Sequence, residues 1–365
     1  GGTLTATTDG TGLATFTNLS ITGLIGSRTL TFTSGILTAA TSTAINITTG
    51  ARSKLTITTQ PSASATSDVA FATQPVVRIE DSGGNPVSEN LTGVTASLAS
   101  GAVTLGGTLL ASTNAGGVAS FTDLKITGAT GARTLLFAAT GLTSATSSAV
   151  TLGAGSATQL TVTTQPSASA ANAVAFAAQP AIQLRDASTN PVATAGVVIT
   201  AAIASGGVAL GGTLTATTDG TGLATFTNLA ITGVVGSRTL TFTSGILTAA
   251  TSTAINITAG LANHLSITTE PSTIATDNIV FGVQPVIQLR DVSNNAVSQA
   301  GVAVTAEIST GTGTLATTVT VLTDASGVAT FTDLKLTPAG SYVIKFTAVP
   351  AGLLEVISTI TIVVS

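Results

Sequence analysis

The sequence predicts an all-β chain of tandem antiparallel β-sandwich domains, and three observations carry that prediction. The stretch TDGTGLATF at residues 8–16 returns as TNAGGVASF at 113–121, TDGTGLATF at 218–226 and TDASGVATF at 323–331, each copy 105 residues after the last. A fixed period of this length marks an array in which one supersecondary unit is copied. Between the copies, apolar residues alternate with polar ones at a period of two, and no stretch carries a convincing amphipathic-helix pattern. Clusters of Gly, Pro, Asn, Asp and Ser interrupt the alternation, giving roughly seven to nine short strands per repeat, the density of a β-sandwich.

The elements follow in order. Residues 1–52 match the second half of later repeats. GGTL at 1–4 corresponds to GGTL at 106–109 and 211–214, and residues 1–50 differ from 211–260 only at the four positions 20, 24, 25 and 49. Near-identity two periods apart suggests duplication of a two-repeat block. The expected division is a half-repeat at 1–52, then repeats at 53–157, 158–262 and 263–365, the last one divergent.

A full repeat opens with a strand, LTITT at 55–59, stopped by Gln60-Pro61 and, in the copies, by Gln165-Pro166 and Glu270-Pro271. Proline has no N–H to give a ladder, so it marks an edge or an end. After a second proline (Pro75, Pro180, Pro285), Val77 and Ile79 point to one face and Arg78 and Glu80 to the other. Residues 81–86, 186–191 and 291–296 then read as turns. Val94, Ala96 and Leu98 alternate with Thr95 and Ser97 in the next strand. The motif at 8–16 is a hairpin turn entering a strand. Asp9, Asn114, Asp219 and Asp324 can bond their own backbone two residues on. Strands around Phe137 and around Ile255 and Ile257, with their copies, complete the repeat.

All eleven phenylalanines fall into three repeated positions: Phe16, Phe121, Phe226 and Phe331; Phe32, Phe137, Phe242 and Phe346; Phe71, Phe176 and Phe281. They are expected as core anchors, which leaves no spare Phe for an exposed binding platform. Tyr342 is the only tyrosine, in a last repeat that has lost one residue before it and ends in a more apolar stretch at 353–365. It reads either as a tyrosine corner, its hydroxyl bonded to nearby backbone, or as a surface side chain.

Composition narrows the chemistry. Charged residues make up 7% of the chain against 44% hydrophobic, and the net charge is −4, so there is no basic field to hold nucleic acid. Cysteine is absent, and with it disulfides and thiolate metal sites. A mean hydropathy of +0.58 separates the chain from disordered sequences. No apolar run reaches the ~18 residues of a membrane helix.

TTQP at 163–166, Gln179-Pro180, the turn from Asp186 to Asn190-Pro191-Val192, and Thr218-Asp219 to Ala224-Thr225-Phe226 follow one another in fixed order within the repeat. On these motifs the repeats resemble the bacterial immunoglobulin-like repeats of large surface proteins, the invasin and intimin type and related adhesin stalks. The match covers three full repeats and the leading half. It implies immunoglobulin-like (Ig-like) sandwiches, an extracellular or cell-surface location and a rod-like, non-enzymatic role.

Calcium is the metal to weigh, because some adhesin stalks stiffen their linkers with it. Asp81, Asp186 and Asp291 are the candidates, but each stands nearly alone in its turn and the linkers at 50–54, 153–159 and 260–264 contain no acid. Turn capping is the competing role, and no cofactor is expected. His264, the single histidine, takes the place of Lys54 and Gln159, so no Ser/His/acid set recurs with the repeat. Lys54, Lys125, Lys335 and Lys345 do not recur in every repeat, as a regular Lys–Asn crosslink would require. Glycosylation sequons begin at Asn18, Asn46, Asn90 and Asn256, and only Asn46 and Asn256 share a repeat position.

Soluble designed surfaces carry about 25–35% charged residues. This chain falls far below that, so its outer faces must be hydroxyls and small apolar groups, and packing against neighbouring copies in a fibre is expected. The half-repeat at 1–52 calls for partner strands, from upstream residues of the same chain or from another subunit. The functional expectation is a non-catalytic stalk or filament segment. Its alternatives are an adhesive module touching glycan or a host protein through domain-end loops, and accessory domains of a polysaccharide-degrading enzyme.

Overall fold

A computed structural model describes residues 1–101, 103–204, 206–349 and 354–365; among them there is no helix, only strands, turns and bends. Leu353, where the apolar last stretch begins, lies outside the described residues. The chain forms two compact units: Gly1–Ala157 with Asp186–Asn190, and Thr158–Arg185 with Pro191–Ser365.

In the first unit, the strands from Arg52–Thr59 to Val150–Gly153 build an Ig-like β-sandwich. One layer is Arg52–Thr59, Val76–Asp81 and Val118–Ser120, with Val76–Asp81 in the middle. The facing layer runs Leu110–Ser112, Gly93–Leu98, Leu135–Ala138 and Ala145–Thr146. Just before Leu135–Ala138, Gly131–Arg133 pairs with Val150–Gly153. Register follows the period of two: Val77 pairs with Ala119, Ile79 with Leu55 and Ala96 with Phe137. All six are buried together with Val94, Phe121, Leu135 and Leu152 in one core. Twelve strand segments lie between Arg52 and Gly153 among the described residues, more than the seven to nine expected, because several longer strands are interrupted.

The sandwich is not wholly antiparallel. Ser64–Thr66 runs parallel to Val150–Gly153, Ser169–Ala171 to Ile255–Thr258, and Ile274–Ala275 to Ile362–Val364. The Gln/Glu-Pro stop explains this. Proline ends pairing in the first layer, the chain crosses over, and its continuation joins the other layer beside the last strand of the repeat.

Residues 1–52 of this unit form short pairs only, Gly26–Arg28 with Ile45–Ile47 and Thr31–Phe32 with Ala40–Thr41. Phe16 and Phe32 still pack at a centroid distance of 5.2 Å, the same as Phe121 and Phe137. Both are only half-buried, and Leu13 is 62% exposed. The reason is that 1–52 holds no counterpart of Arg52–Thr59 or Val76–Asp81 to cover that face.

The second unit holds two sandwiches of the same plan. In the first, Gln159–Thr164, Ala181–Arg185 and Leu223–Thr225 face a sheet of Thr215–Thr217, Val198–Ile203, Leu240–Thr243 and Ala250–Thr251. In the last, His264–Thr269, Val286–Arg290 and Val328–Thr330 face a six-stranded sheet in which Gly340–Val349 is one unbroken strand. Phe176, Phe226, Phe242, Phe281, Phe331 and Phe346 are all buried.

Tyr342 is 1% exposed and its hydroxyl donates to the Pro338 carbonyl four residues back at 2.6 Å, a tyrosine corner. In the two preceding sandwiches arginine takes this place. Arg133 donates from Nη2 to the Ala129 carbonyl at 2.8 Å, and Arg238 to that of Val234 at 3.1 Å.

Candidate functional site: a hydrogen-bonded joint between repeats

The turn at 81–85 is held by several side-chain and backbone hydrogen bonds. It closes on itself first: the Asp81 N–H donates to the Asn85 carbonyl at 3.0 Å, and Asp81 Oδ1 accepts the Asn85 N–H at 2.8 Å. The residue before the asparagine is left-handed in every copy, Gly84 at φ 86°, Thr189 at 65° and Asn294 at 65°. That geometry aims the asparagine side chain outward, away from its own sandwich.

It reaches the preceding repeat. Asn85 Nδ2 donates to the Gly23 carbonyl at 2.8 Å and Asn85 Oδ1 accepts the Ile25 N–H at 2.8 Å. Asp81 Oδ2 accepts the Gly50 N–H of the linker at 2.8 Å and the Asn85 amide at 2.9 Å. In the second unit Asn295 does the same to the Gly233 carbonyl (2.9 Å) and the Val235 N–H (3.0 Å), while Asp291 accepts from Gly260 at 2.9 Å. There Asn172 adds a bond, donating to Asp291 Oδ2 at 2.9 Å while its Oδ1 takes the Gly233 N–H at 2.8 Å. The Asp186–Asn190 segment, counted with the first unit, repeats the pattern on Gly128, Thr130 and Gly155. Asp81, Asn85, Asp186, Asn190, Asp291 and Asn295 are all buried.

The electrostatics match. The Asn85 side chain and N–H, with the Gly50 N–H, hold the Asp81 carboxyl down to about 2. Burial pushes Asp291 up, but the Gly260 N–H, both Asn295 donors and the Asn172 amide outweigh it and leave it at about 2. Burial also opposes the lowering at Asp186, where the Asn190 side chain and the Gly155 N–H prevail. Donors to the charged form favour that form, so the joint is built around an ionised carboxylate.

The same donors argue against calcium. A calcium ion needs several oxygens around it, whereas Asp81, Asp186 and Asp291 are ringed by N–H groups whose hydrogens occupy the directions an ion would take. Among the described residues no three of His, Cys, Asp and Glu come together. The three aspartates do not fit a calcium site.

The other sequence candidates lie apart. His264 begins the strand His264–Thr269, with Nε2 at 3.4 Å from Asn294 Oδ1. Lys125 pairs with Asp68 at 2.7 Å, Lys345 with Glu307 at 3.2 Å, and Lys54 with Glu80 at 3.8 Å. Asn46 and Asn256 lie exposed on paired strands. Sequence reasoning read residues 81–86 as turn chemistry and missed the outward role of Asn85, Asn190 and Asn295. The signal was present: an Asn four residues after each repeated Asp, and a Gly-x-x-Gly at 23–26, 128–131 and 233–236.

No protein-family model matches the chain, and no curated protein does. Among solved structures, it overlaps with the Escherichia coli adhesin FdeC at 17% identity, covering 87% of this chain and 100% of that one, with a TM-score of 0.36. Domains 4–9 of the surface layer protein SbsC overlap at 18% identity over 86% of this chain and 48% of that one, TM-score 0.25. The Yersinia pseudotuberculosis adhesin InvE overlaps at 17% identity over 64% and 67%, TM-score 0.26. Superpositions this loose do not bear on function, which is read below from the chain's own residues. Among the described residues no helix is long and apolar enough to cross a membrane.

Proposed function

We propose that the chain is a non-catalytic structural segment, a stalk or filament portion of a bacterial extracellular or cell-surface protein. On this reading it is divided as a half-repeat at 1–52 and repeats at 53–157, 158–262 and 263–365. The observation that carries it is the joint. The same buried Asp–Asn pair links 1–52 to 53–157 and 158–262 to 263–365, atom for atom. A protein that only needed to string binding modules together has no use for charged, desolvated bonds at these two junctions; one that must hold its repeats in fixed succession does. Sandwiches joined this way contact chiefly their neighbours, as in other repeat arrays.

Pulling the chain by its ends in a force spectrometer tests the proposal. The full repeats should release one after another, each adding about 35 nm, the extended length of ~105 residues. Soft release without discrete steps would overturn it.

Self-association belongs to the same reading. The outer sheet faces at Gly93–Leu98 and Val198–Ile203 present hydroxyls and apolar groups, with Leu110 at 59% and Val198 at 53% exposure and no charge. Sedimentation at millimolar concentration should show association, and a monomer there would remove it.

A further inference from the structure

We infer that the repeat at 263–365 carries the plug of the joint but lacks the socket, so that a repeat placed after it is held by its linker alone. This rests on reading the Asp–Asn contact as the joint. The plug is the asparagine four residues after the repeated aspartate. The socket is the Gly-x-x-Gly loop of the preceding repeat, which offers one carbonyl and, two residues later, one N–H: Gly23 and Ile25, Gly128 and Thr130, Gly233 and Val235.

The loop's shape depends on both glycines. Gly23, Gly128 and Gly233 have φ of 138°, 144° and 151°, and Gly26, Gly131 and Gly236 have 134°, 129° and 130°. Side-chain-bearing residues rarely adopt such values. In the last repeat the loop reads Thr337-Pro338-Ala339-Gly340, one residue shorter. Proline locks φ near −65°, so Pro338 cannot take the conformation of Gly128 or Gly233. Gly340 is not among the positive-φ glycines either.

The socket's carbonyl has also been reassigned. Pro338, which stands where Gly128 and Gly233 offer theirs, receives the Tyr342 hydroxyl at 2.6 Å. The strand then runs on unbroken through Gly340–Val349. Three changes therefore coincide at one loop: a deletion, a proline in place of the first glycine, and a tyrosine in place of the arginine that braces the loop from below. Each alone would weaken the socket, and together they replace it with a closed corner.

Spin-label distances read this directly, because the chain has no cysteine of its own. A second copy of residues 259–365 is attached after Ser365 in the full chain. Labels go on Gln299→Cys and its counterpart in the added copy; the reference pair, in the unextended chain, is Thr194→Cys with Gln299→Cys, across the Asn295 joint. The reference pair should give a narrow distance distribution, and Asn295→Ala should widen it at least twofold. The pair across the added junction should be at least twofold wider than the reference. Replacing TPAGSY at 337–342 with TGVVGSR, the sequence at 232–238, should narrow it to the reference width.

The outcomes separate. A reference pair indifferent to Asn295→Ala overturns the joint itself. A narrow distribution across the unaltered added junction overturns the missing socket while leaving the joint intact. Should the replacement impair folding, that second measurement decides alone. A folded replacement whose distribution stays wide shows that the loop is not what seats the plug, and overturns the inference.

Discussion

At the scale of single residues, the phenylalanines and the asparagines differ in how openly the sequence declares them. A Phe returning every 105 residues inside an apolar alternation has one cheap explanation, burial, and Phe121, Phe137, Phe226 and Phe242 are at 3% exposure or less. Phe226→Ala should lower the stability of its sandwich by about 3–5 kcal/mol, read from calorimetric unfolding of the full chain. That is a large share of the ~5–15 kcal/mol a domain has. Asn85 and Asn295 were harder to read, since an Asn in a turn ordinarily serves its own turn, and only three-dimensional placement shows it serving another repeat. Tyr342→Phe should lower stability by about 0.5–1.5 kcal/mol through loss of its bond to Pro338, measured by the same unfolding.

At the scale of elements, the hairpin turns were legible because their chemistry is local. Asp219 Oδ1 accepts the N–H groups of Thr221 at 2.8 Å and Leu223 at 3.1 Å, and Asn114 Oδ1 does the same for Gly116 and Val118 at 2.9 and 3.1 Å. The chain thus contains its own control. Asp219→Ala should lower the midpoint of denaturant titration, because the Thr221 and Leu223 N–H groups lose their acceptor, whereas Asp219→Asn should be close to neutral. The parallel pairs were not legible, because an edge strand of two or three residues after a proline has the same composition whichever sheet receives it. Nor were the glutamine bridges. Gln74 Nε2 donates to the Phe71 and Leu124 carbonyls at 3.1 Å while its Oε1 takes the Leu124 N–H at 3.0 Å, tying positions 50 residues apart. A Gln before a Pro carries no hint of that reach.

At the scale of the whole molecule, the joints set how the chain responds to its medium. Asp81 and Asp291 sit at about 2 in the folded protein against an ordinary 3.8. A carboxyl lowered on folding contributes stability that is fully present above its ordinary value and lost as pH falls through the folded one. The joints should therefore hold unchanged from neutrality down to about pH 4 and loosen from there towards pH 2, and Asp291→Asn should flatten that dependence in thermal unfolding. Because these carboxylates are satisfied by N–H groups, a strong calcium chelator should leave the melting profile unmoved; a downward shift would restore the metal reading. The parallel pairing of Ser64–Thr66 with Val150–Gly153 has a mechanical consequence of its own. These strands lie at opposite ends of one sandwich's chain and point the same way, so tension on the two ends drags them lengthwise in shear. Every bond between them takes load at the same moment, and none can be peeled away before the rest.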